Sequence, residues 1–256
     1  MKRVCVVGNS HIAALKLGWD IIEYGYPHIN LTFFGSPRKN LRDLRVENGA
    51  LIAGSEKTLK HLQSTSKGQG EITAEKFDVF LVVAMDFGVR RLEDLYRHHR
   101  SEEHKNVKGA SHYISNACFL LAAKGLLRNT LAFEIAGKLK QLTNNPVMFV
   151  PQPLPSADIS GDPLWEDIIH HGDDVPLARA FSKIASELTA NGDPVIQQPE
   201  GTKSGDMFTK SEMSKGSRRL TRNFNVEHPD DDYWHMNQDY GAAVLRNAIR
   251  LIKGQV

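Results

Sequence analysis

Short apolar runs alternate with longer helical stretches along this chain, and this rhythm constrains its fold more than any other feature. Five runs have the composition of β-strands: Arg3–Val7, Asn30–Phe34, Asp78–Val83, Pro146–Pro151 and Pro194–Gln198. The stretches between them carry apolar residues at helical spacing, as Ile12, Leu15 and Trp19 do after the first run. Strands that alternate with helices in this way are typical of a parallel sheet covered by helices.

The sequence therefore predicts one α/β domain over residues 1–256, a three-layer sandwich around a mostly parallel five-stranded sheet. Helices are expected over 12–24, 115–142, 177–190 and 237–253. The segment 200–223 lacks periodicity and has six basic residues against three acidic ones. Long stretches of this kind are usually functional or mobile, so it is interpreted as a mobile loop, either a solvated insertion or a lid over a site.

The composition excludes several classes of protein. The chain is 41% hydrophobic and 24% charged with a net charge of +2, which is ordinary for a globular protein and favours no nucleic-acid or membrane partner. Two cysteines, Cys5 and Cys118, are too few for a disulfide scaffold. The apolar run after Met-Lys-Arg is too short for a signal peptide, and no later stretch is long enough to span a membrane. We therefore expect a cytoplasmic protein.

The first motif with chemical potential is Gly8-Asn9-Ser10-His11, at the junction of the first strand and the first helix. A serine there lies at the carboxyl end of a parallel strand, where α/β sheets place their ligands. It also lies at a helix N-terminus, whose free N–H groups favour negative charge. These are the needs of an acyl-transfer nucleophile, although a serine at this position also serves as an ordinary helix cap.

A second motif, Asp232-Tyr233-Trp234-His235, stands near the other end of the chain. The three-residue spacing lets the aspartate reach the imidazole of His235 within one turn of chain, where a carboxylate fixes the tautomer and stabilises the protonated ring. A polar loop with an incidental histidine is the alternative. The two motifs together favour a Ser-His-Asp arrangement of Ser10, His235 and Asp232.

These two blocks resemble the first and last motifs of the SGNH (GDSL-like) hydrolases, in a bacterial Gly-Asn-Ser-His branch. The continuation His235-Met-Asn-x-x-Tyr-Gly241 is similar to the branch whose relatives act on acyl esters of carbohydrates. The resemblance implies a flavodoxin-like fold and a serine esterase that needs no metal or organic cofactor. Its implied substrate is a small-molecule or carbohydrate ester, and Trp234 is a candidate to line the substrate cleft.

The resemblance also implies an oxyanion hole made by the Ser10 amide, a glycine after the second strand and an asparagine after the third. Gly35 matches the glycine by position, although it could serve only a tight turn. The third element departs from the family pattern, because Asp86 stands where an asparagine is usual and an ionised carboxylate cannot donate a hydrogen bond. Asn116 or His112 are candidate replacements.

That departure keeps two alternatives open: a non-catalytic SGNH-fold binding protein, or an acyltransferase that uses the same three residues. A metal site near Asp232 is a minority interpretation, since the sequence has no zinc or EF-hand spacing. The cluster 170–174, His-His-Gly-Asp-Asp, is interpreted as a solvated turn, and 90–108 as an exposed connection.

Overall fold

The computed structural model describes residues 1–190, 193–221 and 224–254. Its strands are β1 (Lys2–Gly8), β2 (Ile29–Gly35), β3 (Arg45–Glu47), β4 (Ala50–Ile52), β5 (Glu71–Thr73), β6 (Val79–Val83), β7 (His99–Arg100), β8 (His112–Tyr113), β9 (Val147–Val150), β10 (Lys203–Ser204) and β11 (Phe208–Thr209). Its α-helices are α1 (Ile12–Ile22), α2 (Glu56–Thr65), α3 (Arg90–Tyr96), α4 (Asn116–Arg128), α5 (Leu131–Lys140), α6 (Pro163–His171), α7 (Asp174–Thr189) and α8 (Gln238–Gly254).

The central sheet contains four parallel strands in the order β2-β1-β6-β9 and is flanked by helices, which confirms the predicted α/β class. Gly8 is level with Gly35 on one side and with Val83 on the other. The chain therefore leaves three neighbouring strands at one edge of the sheet, where a doubly wound fold places its ligand site.

The prediction of a fifth strand is wrong, because this segment does not form a full strand. Residues 194–198 form only an isolated bridge between Val195 and Phe149, with the Phe149 amide donating to the Pro194 carbonyl at 2.9 Å. Pro194 has no N–H to add to the ladder, and Pro199 follows within a few residues, so proline confines the pairing to one residue.

The core has two layers because the strand residues alternate between the faces of the sheet. Val4 and Val6 belong to the cluster that packs under α1 and α8, whereas Cys5 and Val7 belong to the larger cluster on the opposite face. Both sets are fully buried. The result is the predicted three-layer arrangement of helix, sheet and helix.

Helices α1 and α8 pack at unusually short range through two glycines. A Cβ on Gly241 would lie 1.9 Å from the carbonyl oxygen of Ala14, and a Cβ on Gly18 would lie 2.3 Å from the amide nitrogen of Ala242. Only glycine allows this approach. Since α1 follows Ser10 and α8 follows His235, this contact joins the two ends of the chain that carry the predicted site.

The segment 200–223 is more structured than its composition suggests. It contains the β10–β11 hairpin, and Met207 and Thr209 are fully buried. The Met213 carbonyl accepts from the Asn237 amide at 2.7 Å, which ties the segment to the start of α8. Its mobility stays a prediction, and its residues 222–223 lie outside the described part of the chain.

Two other interpretations of the sequence are wrong. The cluster 170–174 is not a solvated turn, since Asp173 is completely buried. The stretch 90–108 is not merely an exposed connection, because it includes α3 and the buried side chain of Arg100. Charge alone suggested exposure in both cases. Three hydrogen bonds compensate for the burial of Asp173, whereas Arg100 packs against the Tyr96 ring, with its guanidinium carbon 3.3 Å from the ring centroid. Within the described ranges, no helix combines the length and apolarity that crossing a bilayer requires.

Candidate active site

Ser10 lies where β1 ends and α1 begins. Gly8 brings β1 close to its neighbours, because a Cβ there would lie 2.7 Å from the Val83 carbonyl oxygen and 2.6 Å from a methyl group of Ile12. The chain then turns through Asn9, and the Ser10 carbonyl accepts from the Ala13 amide at 3.1 Å in the first helical turn. The Ser10 hydroxyl does not cap the helix, since its partner is a histidine from the other end of the chain.

Asp232 and His235 belong to a tight turn that precedes α8. The Asp232 Oδ1 atom accepts from the amides of Trp234 and His235, each at 3.0 Å. Asn237 then caps α8, since its Oδ1 accepts from the amides of Asp239 and Tyr240 at 3.0 and 3.2 Å. These local bonds hold the Asp232 carboxylate against the backbone of the turn that carries His235.

The fold brings the three predicted residues into one hydrogen-bonded chain. Ser10 Oγ lies 2.8 Å from His235 Nε2, and His235 Nδ1 lies 2.8 Å from Asp232 Oδ2 and 3.0 Å from Asp232 Oδ1. The Ser10–His235 contact links residues that are 225 positions apart. Such a chain can activate a hydroxyl, because the ring accepts the serine proton while the carboxylate stabilises the imidazolium.

Two further histidines enclose the His235 ring. His228 stacks on one face at a centroid distance of 3.9 Å and an interplanar angle of 10°, and His11 stacks at 4.6 Å and 14°. Sequence analysis missed both partners. His11 was visible beside Ser10, but nothing in the sequence places its ring against His235.

Burial keeps His11 uncharged. Desolvation lowers the pKa of this imidazole well below its usual value, and the neighbouring His235 and Arg90 act in the same direction against the attraction of Asp232. The His11 Nε2 atom lies 3.0 Å from the amide nitrogen of Gln152, which donates to it. A neutral ring therefore faces the His235 ring.

Asp232 is held in its charged form. Its partial burial alone would raise the carboxyl pKa, but hydrogen bonds from His228 and His235, with the backbone amide of Trp234, lower the pKa well below its ordinary value. His228 Nδ1 lies 2.9 Å from Asp232 Oδ2. The carboxylate is thus shared by two imidazoles and two amides.

The two amides predicted to form the oxyanion hole differ in whether they are free to donate a hydrogen bond. The Gly35 amide donates to Thr65 Oγ1 at 2.8 Å, so its proton is already used. A Cβ on Gly35 would lie 2.2 Å from Ile12 Cδ1, which gives the glycine a packing role. Among the described residues, no hydrogen bond uses the Ser10 amide, so this donor remains available at the site.

Asp86 lies in a left-handed turn that follows β6. Ala84, Met85 and Asp86 have φ values of 57°, 49° and 70°, a conformation that costs about 1–2 kcal/mol for each non-glycine residue. The Asp86 carboxylate lies 3.8 Å from the Lys39 ammonium group. The turn therefore aims this side chain at a cation and provides no side-chain donor of the asparagine type.

The remaining predicted residues divide between two regions. Trp234 directly precedes His235, and the Arg90 guanidinium carbon lies 4.9 Å from the centroid of its ring. Asn116 begins α4, where its amide donates to Glu102 Oε2 at 2.8 Å, and His112 lies in β8 with its ring 5.2 Å from that of His99. Those contacts join Asn116 and His112 to the 97–116 region instead of to Ser10.

A metal ion is the other ligand that this region could hold. The donor atoms of His228, Asp232 and His235 lie within 4.8 Å of one another. In the structure they are hydrogen-bonded to each other, and both Nδ1 atoms would have to lose their protons before they could ligate a metal. The donor set is therefore compatible with a metal, although the Asp232 carboxylate and both Nδ1 atoms already have hydrogen-bond partners without one.

Comparison with known proteins finds similarity among solved structures alone. No protein-family model matches the sequence, and no curated protein is similar to it. Among solved structures, the fold is similar to that of a mutant of Axe2, an acetyl-xylooligosaccharide esterase from Geobacillus, with 12% sequence identity. The match covers 97% of this chain and 93% of that chain with a TM-score of 0.41. A likeness at this level assigns no residue and no activity to this chain. A functional assignment therefore depends on the geometry of Ser10, His235 and Asp232.

Proposed function

We propose that this protein is a serine hydrolase of the SGNH type that cleaves acyl esters. The observation that carries the proposal is the continuous path of hydrogen bonds from Ser10 Oγ through His235 to Asp232, with contacts of 2.8 Å on each side of the ring. The position of Ser10 between the end of β1 and the first turn of α1 supports it, because backbone donors face the nucleophile there.

The mechanism is two-step acyl transfer. As Ser10 Oγ attacks the ester carbonyl carbon, its proton passes to His235 Nε2, and the Nδ1 proton stays directed at Asp232. The tetrahedral intermediate collapses when the alcohol leaves with the proton from Nε2. Water, deprotonated by the same nitrogen, then attacks the acyl-serine, releases the acid and restores the Ser10 hydroxyl.

The flanking rings assist this cycle. His11 stays neutral because it is buried, and it therefore adds no charge that would repel the imidazolium. Stacking on both faces also keeps water away from the ring.

The substrate class follows from the resemblance of the motifs, which points to O-acylated carbohydrate. Loss of one oxyanion donor typically costs about 100- to 1,000-fold in rate. Because the Gly35 amide is engaged by Thr65 and Asp86 faces Lys39, we place the Ser10 amide at the oxyanion and expect a modest turnover on simple esters. The same two contacts motivate the second candidate, a binding protein of this fold without activity.

A matched pair of serine variants tests the proposal. Ser36 also bonds to a histidine, with Oγ 2.8 Å from His61 Nδ1, but it is completely buried and no carboxylate of the described residues contacts that ring. We expect Ser10→Ala to lower the rate of 4-nitrophenyl acetate hydrolysis by at least about 10⁴-fold, whereas Ser36→Ala keeps the wild-type rate.

Labelling of the protein with a fluorophosphonate separates the candidate functions. A hydrolase or transferase should be labelled once, at Ser10, and Ser10→Ala should resist the reagent. Equal hydrolysis by wild type and Ser10→Ala, without labelling at Ser10, would reject the enzyme and leave the binding protein. Product analysis with an acetylated xylo-oligosaccharide in the presence of an unacetylated acceptor distinguishes hydrolysis from transfer.

A further inference from the structure

His228 contacts both of the residues that prepare Ser10 for attack. Its Nδ1 atom lies 2.9 Å from Asp232 Oδ2, the same oxygen that lies 2.8 Å from His235 Nδ1. Its ring also stacks on that of His235 at 3.9 Å and nearly parallel. The proton transfers of the two-step mechanism above do not pass through this residue.

The geometry defines which proton His228 offers. An aspartate oxygen accepts, so the proton lies on Nδ1 and points at Asp232. The Nε2 atom is buried and has no hydrogen-bond partner among the described residues. Among the described residues, the hydrogen bond of this ring is therefore the one that Nδ1 donates to the carboxylate.

We propose that His228 is a positioning residue that locks Asp232 and thereby holds His235 in line with Ser10. A carboxylate that bonds only to His235 could turn about its Cβ–Cγ bond. Here the amides of Trp234 and His235 fix Oδ1, and His228 fixes Oδ2. The His228 amide is itself tied to the Ser217 carbonyl at 2.9 Å, so the donor is anchored by the backbone.

Two variants separate the hydrogen bond from the stacking. In His228→Asn, the side-chain amide nitrogen can replace Nδ1 as the donor while the ring is lost. In His228→Phe, the ring remains and the donor is lost. We expect His228→Phe to lower kcat by about 10- to 100-fold with an unchanged KM, and His228→Asn to recover most of that loss. His112→Phe, at an exposed histidine in β8, is the control for loss of an imidazole.

A spectroscopic measurement completes the test. The downfield proton NMR signal of His235 Nδ1–H reports its bond to Asp232, and its assignment follows from its loss in Asp232→Asn. The signal should broaden or move in His228→Phe and persist in His228→Asn and His112→Phe. Circular dichroism and thermal unfolding identify any variant that fails to fold. If His228→Phe fails to fold, His228→Asn is compared with the wild type alone: a retained NMR signal supports the inference, and a lost signal overturns it.

Wild-type kcat and an unmoved signal in His228→Phe would overturn the inference. So would a loss confined to His228→Asn, which would mean that the ring stack alone matters. An equal loss in both variants would also overturn it, because the donor retained in His228→Asn would then have no effect. The kinetic part rests on the proposed function, but the NMR signal does not require hydrolysis of any ester. An inactive wild type would therefore defeat the proposed function while the positioning role is still decided by the signal.

Discussion

Two aspartates of this protein, Asp232 and Asp173, each collect several hydrogen bonds and yet have different surroundings. Asp173 is completely buried and accepts from the Tyr96 hydroxyl at 2.6 Å and from the amides of Lys105 and Asn106 at 2.6 and 3.1 Å. Asp232 keeps 19% of its side chain exposed and accepts from two imidazoles as well as two amides.

The difference lies in the donors. The amides never release their protons, and burial together with the bond to Asp173 raises the pKa of Tyr96. Asp173 therefore accepts only from groups that keep their protons. Asp232 accepts from imidazoles, which can exchange protons near neutral pH, and this difference fits the proton transfers of the proposed mechanism. The donors to an aspartate therefore help to indicate its role. Amide and tyrosine donors indicate a structural role, and imidazole donors are compatible with a catalytic one.

Exchanging each carboxylate for an amide should separate the two roles most strongly. We expect Asp232→Asn to lower kcat/KM for an ester by about 10⁴-fold, because the amide favours the wrong tautomer of His235. Asp173→Asn should lower the free energy of unfolding by about 3 kcal/mol, because buried donors lose a charged acceptor, while the folded protein keeps its kcat. Urea unfolding and steady-state kinetics on both variants measure this, and a catalytic loss at Asp173 as large as that at Asp232 would remove the distinction.

A second variant tests whether the geometry of Ser10, His235 and Asp232 depends on the packing of α1 against α8. In Gly241→Ala the new methyl group would overlap the Ala14 carbonyl. We expect the free energy of unfolding to fall by about 1–3 kcal/mol. A displacement of α8 by about 1 Å should also reduce kcat about 100-fold, since Ser10 and His235 are carried by different helices.

The control for that variant is Gly137→Ala in α5, where a Cβ meets no atom within 4 Å. Its higher helix propensity should leave activity unchanged and raise stability by about 0.5–1 kcal/mol. If Gly241→Ala retains wild-type activity and stability, the two helices do not set the Ser10–His235 distance.

Acid sensitivity should be common to both regions. Burial lowers the pKa of His11 near Asp232 and that of His104 near Asp173, from an ordinary value of 6.5. Below that value the unfolded chain binds protons that the folded protein does not, so stability falls as the pH falls, by up to about 1.4 kcal/mol per pH unit and histidine. Urea unfolding at about pH 7 and about pH 5 should show a smaller loss in His11→Gln and in His104→Gln than in wild type. A wild type that is equally stable at both pH values would contradict this.

Local pattern was enough to predict most of the fold. The apolar runs at 3–7, 30–34, 78–83 and 146–151 each contain a strand of the sheet, because alternating strands and helices leave few other ways to bury them. The run at 194–198 has a similar composition but forms only a bridge, since proline limits its pairing.

The sequence pattern also identified candidate site residues where residues that are close in sequence contact each other in the structure. Asp232 and His235 lie three residues apart and bond directly, and Ser10 stands at a strand–helix junction that its flanking sequence dictates. Their assignment as catalytic residues remains a prediction until the variants above are measured.

Other features depended on contacts between residues far apart in the chain. The stacking of His11 and His228 on His235, the capture of the Gly35 amide by Thr65 and the burial of Asp173 are examples. A sequence specifies which groups can donate, accept or ionise, but burial and partner choice arise only when separate segments pack together. For that reason the sequence determined the candidate nucleophile and its acid–base pair, whereas the tertiary structure decided what surrounds them.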